Sequence, residues 1–326
     1  MRPLETDRPD GRLISLTHID FDGAKHNIYR FLLAGGCVAF MVSKSVADMI
    51  DFVRGNDIDF IAGSPIHAST LLSLYRGNKV LLPRLKAFRM SSTTVPQELR
   101  TQIITRLTPN LYVGYGITEI GIIAIAPPQL VRDRPGVVGW IGSDIEAEIV
   151  GPDGEQLAAG SAGELRLRSP GMIDGYLDDP EETAKRFRDG WFYTGDRCEF
   201  APDGALIHYG RADDVIIVDG INIQPTAIES VLLAEPAVAE AVAFGVDSER
   251  HGKTPVAAVV LAGNTTRKAL YDSAKAKLGL HAPWDIMIVD ALPRNTAGKI
   301  MKNKLVESYL RQVAATKQTN PTRKHR

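Results

Sequence analysis

The chain has 326 residues, 44% hydrophobic and 24% charged, with a formal net charge of -1. That length suggests two or three domains, with ample apolar material for a core. The near-neutral charge excludes a global field that would recruit nucleic acid or a membrane surface. The two cysteines, Cys37 and Cys198, form no CxxC pair or His/Cys cluster, so zinc is not indicated and a reducing cytoplasm fits. The first residues mix charges without an apolar core, unlike a secretory leader. No apolar run approaches the roughly 20 residues of a membrane span. The basic end, Arg323-Lys324-His325-Arg326, reads as a solvated tail.

Taken in order, Arg2–Gly11 is polar and Leu13–Leu16 is a short strand. Phe21–Leu33 has a helical pattern ended by Ala34-Gly35-Gly36, and Cys37–Val42 is a strand with Cys37 expected in the core. Val46–Val53 is helical, Phe60–Ala62 a strand, and Ser64-Pro65 starts a helix to about Leu74. Leu85–Met90 (strand), Pro96–Leu107 (helix) and Leu111–Val113 (strand) follow. This alternation predicts an α/β layer with a mainly parallel sheet.

The pattern changes after Pro135. Asp144–Val150, Gly163–Arg168, Arg197–Phe200 and Ala205–Tyr209 read as short strands, with Asp153-Gly154 and Asp203-Gly204 as hairpin turns. They predict a separate antiparallel subdomain, a distorted barrel or sandwich. Then Gly210–Pro225 reads as a joint between two bodies. It has a polar corner with Arg211, a buried strand Val215–Val218, a tight turn at Asp219-Gly220, and a helix opened by Pro225. Beyond it lies a small α+β unit. Its predicted elements are helix Ile228–Leu233, strands Val238–Phe244 and Val256–Leu261, helix Arg267–Leu278, strand Ile286–Val289 and a final amphipathic helix Lys302–Val313, apolar at Leu305, Tyr309 and Leu310. The expected domains are a partial N-terminal α/β subdomain over 1–134, a β-rich subdomain over 135–211 and a C-terminal α+β lid over 212–326.

Four short motifs could carry chemistry. Gly114-Tyr115-Gly116-Ile117-Thr118-Glu119 follows a strand. Its glycines allow close ligand approach, and a hydroxyl and carboxylate at a turn could hold a phosphate and its Mg²⁺. Taken alone it reads better as an ordinary strand–loop with a capping Thr, and a third glycine is missing for a Rossmann fingerprint. In Tyr193-Thr194-Gly195-Asp196 an aspartate at a tight turn could accept hydrogen bonds from ribose hydroxyls, or could only stabilise the turn. Arg211 could contact phosphate or sugar through its forked donors, or pair on the surface with Asp213 or Asp214. Lys299, on the loop Leu292–Lys299, matters only if another body closes over it.

The order of these motifs, with Gly163-Glu164-Leu165 and Gly175-Tyr176 between the first two, resembles the adenylate-forming (AMP-binding) superfamily. That group includes acyl-CoA synthetases, aryl-CoA ligases and the adenylation domains of peptide synthetases. The resemblance runs from near residue 12 to about residue 310. It implies that Tyr115 stacks on adenine with Gly116 beside it, Thr118 contacts the α-phosphate and Glu119 holds Mg²⁺. Asp196 would bind the ribose hydroxyls with Arg211 alongside. Asp213 would be the hinge of the C-terminal unit. Lys299 would bridge the acyl carboxylate and α-phosphate during adenylation, and after a swing the turn at Gly220 would line a tunnel for the thiol of CoA or a phosphopantetheine carrier.

The chain departs from the pattern in three places. A Ser/Thr/Gly run followed by Pro-Lys-Gly, the family's phosphate-clamping loop, has no counterpart. The expectation is a large domain lacking its N-terminal part, with weakened grip on the β- and γ-phosphates of ATP. Ser91-Ser92-Thr93-Thr94 stands where a Gly-Gly-Ala-like loop usually meets adenine, which places Thr93 and Thr94 at the nucleotide. His208 stands where an aliphatic residue is usual, and reads as a satisfied half-buried side chain.

Ile117, Ile120, Ile122 and Ile123 suggest a hydrophobic acyl or aryl acid, unless they are core. Phe21-Asp22 resembles a segment that pairs with an amino group in amino-acid-activating relatives, but reads better as a helix-initiating turn. The expected activity is an AMP-forming ligase that activates a carboxylic acid as acyl-adenylate and passes it to CoA or a carrier-protein thiol. The alternatives are a non-catalytic or half-reaction homologue, and a half-enzyme completed by a partner chain carrying the phosphate loop.

Overall fold

Five short apolar strands begin the architecture. Cys37–Ala39, Arg12–Ser15, Phe60–Gly63, Ala87–Met90 and Leu111–Ile117 lie side by side in that order, all parallel. Phe60–Gly63 and Ala87–Met90 are buried at every position, as expected of parallel strands covered on both faces. Helices Asp22–Leu33, Val46–Gly55, Pro65–Leu74 and Gln97–Gln102, the last extended by a π-helical turn over Ile103–Leu107, make the crossovers. The helix at Pro65 starts where a capping box closes. The Ser64 amide donates to His67 Nδ1 at 3.1 Å, and proline occupies the first turn.

The computed structural model describes residues 11–41, 46–91, 95–248, 250–295 and 298–319. The chain divides into two compact units, Met1–Ala212 and Asp213–Arg326.

In the first unit the antiparallel strands are hydrogen-bonded into the same sheet as the parallel ones. They continue the parallel sheet through two strands that the sequence pattern did not reveal, Gly121–Ala126 and Val137–Ile141. Val137–Ile141 pairs in turn with Leu206–Arg211, followed by Trp191–Phe200, Gly163–Arg168 and Glu146–Val150. With Phe187–Arg188 pairing against Trp191–Phe200, the described residues form one twelve-stranded sheet. Gly121–Ala126 (GIIAIA) shows no alternation, because Ile123, Ala124 and Ala126 are all buried in the main core. Arg100 locks this region. Its side chain is buried and donates to the carbonyls of Val95 at 2.9 Å and Val137 at 3.1 Å, and burial lowers its pKa to about 10.

Two smaller expectations fail here. Cys37 is exposed, because its strand lies at the sheet edge. Asp196 is not at a tight turn, since Trp191–Phe200 is one ten-residue strand running through it.

The second unit is a five-stranded sheet with a core on each face. Val238–Ser248 and Gly252–Leu261 form a long antiparallel hairpin, and Asp285–Ile288 adds in parallel. Along the hairpin Ala243 faces the helices Pro225–Leu233 and Arg267–Leu278 through Ile228, Leu232 and Leu270. Val242, Phe244 and Val246 point the other way, toward Leu305 of helix Lys302–Thr319. Leu310 on that helix is exposed rather than part of the apolar face. The turn at Asp219-Gly220 has φ of 49° and 81° and joins Ile216–Val218 to Ile221–Ile223, a second strand absent from the sequence reading. Positive φ at both central positions is what a tight hairpin with right-handed strand twist demands.

Candidate active site

The centre of the first unit's site is the carboxylate of Asp196, which is only 5% exposed. The Tyr115 hydroxyl donates to its Oδ2 at 2.5 Å. His208 Nε2 stands 3.7 Å from Oδ1, and Arg211 Nη1 lies 3.5 Å from the same oxygen. The Tyr115 and His208 rings are tilted against each other with centroids 5.3 Å apart. Arg211 Nη1 also donates to the Thr194 carbonyl at 2.7 Å, and the Asp196 amide donates to Thr194 Oγ1 at 3.0 Å. Glu164 accepts from the Gly195 amide at 2.9 Å, so the Gly163-Glu164-Leu165 motif braces the Thr194-Gly195-Asp196 segment.

Strand pairing explains why these residues meet. Asp196 pairs directly with Arg211, and Cys198 with His208, on neighbouring antiparallel strands. Register shifts occur at Tyr115/Gly116, at Tyr193/Arg197 and at Arg197/Cys198. Such irregularities re-aim side chains and are common beside functional sites. Gly195, with φ of 70°, sits in the second of them.

Electrostatics follow from burial and neighbours. Burial pushes the Asp196 pKa up. The His208 imidazole, the Tyr115 hydrogen bond and the Arg211 charge push it down and prevail, so it lies below the ordinary aspartate value. Burial, then the Asp196 charge and hydrogen bond, raise Tyr115 well above an ordinary tyrosine. Because the folded pKa of Asp196 is depressed, its contribution to stability is fully present above the unfolded value of about 3.9. It is lost as pH falls through the folded value. Urea unfolding is therefore expected to weaken below about pH 4 more steeply in the wild type than in Asp196→Asn. Parallel acid slopes in the two proteins would remove this assignment.

The second part of the site is the hairpin tip beyond Tyr115. Strands Leu111–Ile117 and Gly121–Ala126 approach so closely that a methyl on Gly116 would stand 2.5 Å from the Gly121 carbonyl oxygen. Gly116→Ala is expected to cost about 1–3 kcal/mol by overpacking, read as a lowered urea midpoint with an unchanged slope. At the tip Thr118 is exposed and Glu119 half-buried. Tyr176 of the Gly175-Tyr176 motif donates to Glu119 Oε1 at 2.6 Å, and the Ile173 amide donates to the Glu119 carbonyl at 3.0 Å. The Tyr176 amide donates to Thr183 Oγ1 at 2.9 Å, within the short helix Pro180–Arg186 that Asp179 caps through the Glu182 amide.

That helix ends at Arg186, whose guanidinium reaches Gly195. A chain of contacts therefore runs from Glu119 through Tyr176 and the helix to Gly195, Arg211 and Asp196. Tyr115, Asp196, Arg211, Gly116 and Glu119 thus gather in one region of the first unit. Thr93 and Thr94 lie outside the described residues. His208, Tyr176 and Arg186 are the partners that sequence reasoning did not assign to the site. The direct pairing of strands Trp191–Phe200 and Leu206–Arg211 across a short turn was the available signal for His208.

Of the isoleucines, Ile123 is core, and Ile117 and Ile120 pack on it half-buried. Asp22 opens a helix, as favoured from its sequence, and pairs with His26 at 2.9 Å. His26 Nε2 approaches Gly121.

Asp213, Gly220 and Lys299 belong to the second unit. Asp214 beside the joint pairs with Lys302 at 2.7 Å. Lys299 is exposed, and its amide donates to Asn295 Oδ1 at 2.9 Å. Arg294 spans the same loop, bonding the Gly298 carbonyl at 2.8 Å and pairing with Glu240.

The first unit is thus a long mixed sheet that carries a tyrosine–aspartate–arginine cluster. The AMP-binding enzyme family matches residues 2–177, and the AMP-binding enzyme C-terminal domain matches residues 227–299. The chain belongs to the AMP-binding enzymes. It is similar to an indoleacetate–CoA ligase of Aromatoleum aromaticum, 30% identical over 94% of this chain and 60% of the relative. It is also similar to a feruloyl-CoA synthase of Amycolatopsis sp, 30% identical over 84% of this chain and 56% of the relative. The solved structure of ATP-bound MatB from Rhodopseudomonas palustris superposes with a TM-score of 0.82 at 26% identity, covering 93% of this chain and 61% of that one. The chain spans 40% to 60% of the length of the curated relatives it matches, which are named as CoA ligases and CoA synthases. Among the described residues no helix is long and apolar enough to cross a membrane, and no group of three or more His, Cys, Asp or Glu could hold a metal.

Proposed function

We propose that the chain serves an AMP-forming ligase. A carboxylic acid and ATP give an acyl-adenylate and pyrophosphate, and the acyl group then passes to the thiol of CoA or a carrier protein. The acid is hydrophobic, acyl or aryl, in keeping with the aromatic acids in the relatives' names. The observation that supports this most is the buried Asp196 carboxylate held by Tyr115, His208 and Arg211.

On this reading ribose hydroxyls replace the Tyr115 hydroxyl on Asp196 Oδ2, and the freed ring lies against adenine. Thr118 meets the α-phosphate. Glu119 would hold Mg²⁺. One carboxylate fits that ion, which usually takes one or two carboxylates and completes its shell with substrate phosphates and water. The ion neutralises phosphate charge when bound.

A carboxylate is a poor electrophile, and adenylation gives it a good leaving group. A cation at the bridging oxygens offsets the charge that builds in the transition state, the role assigned to Lys299. In thioester formation the sulfur bonds the acyl carbon, AMP departs with the acyl–oxygen bond electrons, and the thiol proton passes to solvent or a base. A pivot at Asp213 between a lid (212–326) and the larger domain (1–134 with 135–211) would let Lys299 give way to the Gly220 turn beside the thiol.

A second reading has a specific observation behind it. Strand Cys37–Ala39 is a sheet edge, and Tyr29, Leu32, Leu33 and Phe40 around it are exposed. An apolar edge of this kind suits a covering partner, here a chain supplying a phosphate-gripping segment. The test is acid-dependent exchange of pyrophosphate into ATP, run beside conversion of supplied acyl-adenylate and CoA to thioester. Both activities are expected of the complete ligase. Thioester formation alone supports a half-reaction enzyme or the partner reading, and neither activity would sink the ligase assignment. A cytoplasmic setting fits the composition.

A further inference from the structure

Helix Asp22–Leu33 of the first unit carries a carboxylate–imidazole pair that no step above uses. Asp22 and His26 are four residues apart and so share one helix face. His26 Nδ1 lies 2.9 Å from an Asp22 carboxylate oxygen and 3.1 Å from the Asp22 carbonyl oxygen. Both oxygens are acceptors, so Nδ1 carries the proton and the neutral ring keeps a lone pair at Nε2. Asp22 thereby fixes the tautomer and the direction of the ring. The Nε2 end approaches Gly121. A methyl built on Gly121 would stand 3.9 Å from Nε2, and no other described atom outside its two chain neighbours lies within 4 Å of that position. Gly121, at φ of 98°, therefore leaves a gap open with the imidazole on its rim. The His26 side chain is 28% exposed.

The hairpin side of the gap is apolar. Gly121 pairs with Ile117 and lies between Ile120 and Ile122 in the chain, and all three isoleucines are half-buried. It follows Glu119 by two residues, beside the hairpin tip proposed to meet the α-phosphate and Mg²⁺. An apolar cleft with one aimed polar group is the usual form of a specificity pocket. A lone pair backed by a carboxylate favours a hydroxyl donor and disfavours a second anion on the substrate. We propose that His26, positioned by Asp22, recognises a ring hydroxyl on the acid, so that the substrate is a hydroxyaryl carboxylic acid. This deepens the ligase reading above and rests on it.

The test is calorimetric titration of the full chain with unreactive acyl-adenylate mimics. The probes are the sulfamoyl adenosines of benzoate and of cinnamate, each without a ring hydroxyl, with a 3-hydroxyl or with a 4-hydroxyl. In the wild type a hydroxylated member of at least one set is expected to bind about 3- to 10-fold tighter than its plain parent, the net worth of one hydrogen bond. His26→Leu removes the acceptor at similar bulk and should bring that ratio to about one. His26→Gln keeps an acceptor and should retain part of it. Asp22→Asn loosens the hold on the ring and should lower the ratio part-way. A ratio taken within one protein is insensitive to a general loss of fold, which thermal unfolding of each variant measures separately. Equal binding of plain and hydroxylated mimics to the wild type would overturn the inference and leave the ligase reading standing. So would a ratio unchanged in His26→Leu, or tighter binding of a 4-carboxy mimic than of its 4-hydroxy counterpart. A wild type that binds none of the mimics would overturn the ligase reading, and the inference with it.

Discussion

Lys299→Ala is expected to lower acid-dependent pyrophosphate exchange about 100- to 1,000-fold, the usual loss when one preorganised donor to a developing anion is removed. Thioester formation from supplied acyl-adenylate should stay within about threefold of wild type, because the lysine has no proposed part in that step. The substitution isolates chemistry from folding. The loop is braced by the Lys299 amide on Asn295, by Arg294 on the Gly298 carbonyl and by the Arg294–Glu240 pair, and none of these uses the lysine ammonium. Thermal unfolding should therefore be unchanged. An equal loss in both half-reactions would show that Lys299 acts on something common to them, and an unchanged exchange rate would remove it from the site.

Asp196→Ala carries the largest expected effect on stability. The carboxylate is buried and meets a hydroxyl, an imidazole and a guanidinium at once. Deleting it takes one partner from each of these three groups. Breaking a buried charged pair from one side costs about 3–5 kcal/mol, and the partial exposure of Arg211 places the expectation at the lower end, about 3 kcal/mol. Urea unfolding reads this directly, as a lower midpoint for the Met1–Ala212 unit. Asp196→Asn keeps the shape and an acceptor for Tyr115, so it should cost less while still weakening AMP. If Asp196→Ala unfolds like the wild type, the cluster is not the structural centre described here.

The large-scale layout was legible because its signals are local. Strand–helix alternation through Val113 follows from hydrophobic period, and helix Arg267–Leu278 and strand Gly163–Arg168 are found where their patterns place them. The Asp219-Gly220 turn was legible because two adjacent left-handed residues suit few sequences. Gly121–Ala126 was not legible as a strand, since burial on both faces erases alternation. The place of Asp196 was misread because a glycine inside a bulged strand looks like a turn when only neighbours in sequence are considered.

By itself the sequence determined the class of chemistry. The order of its short motifs names the family, and the proposed reaction follows from that resemblance. Only tertiary structure decided which side chains share charge. Tyr115 and Asp196 are 81 residues apart, and Glu119 and Tyr176 are 57 apart, yet each pair is hydrogen-bonded. Arg186 carries no local signature at all. Only the fold sets it beside Gly195 and Arg211. Electrostatic coupling depends on separation in space and on burial, and neither quantity is written in the spacing of residues along a chain.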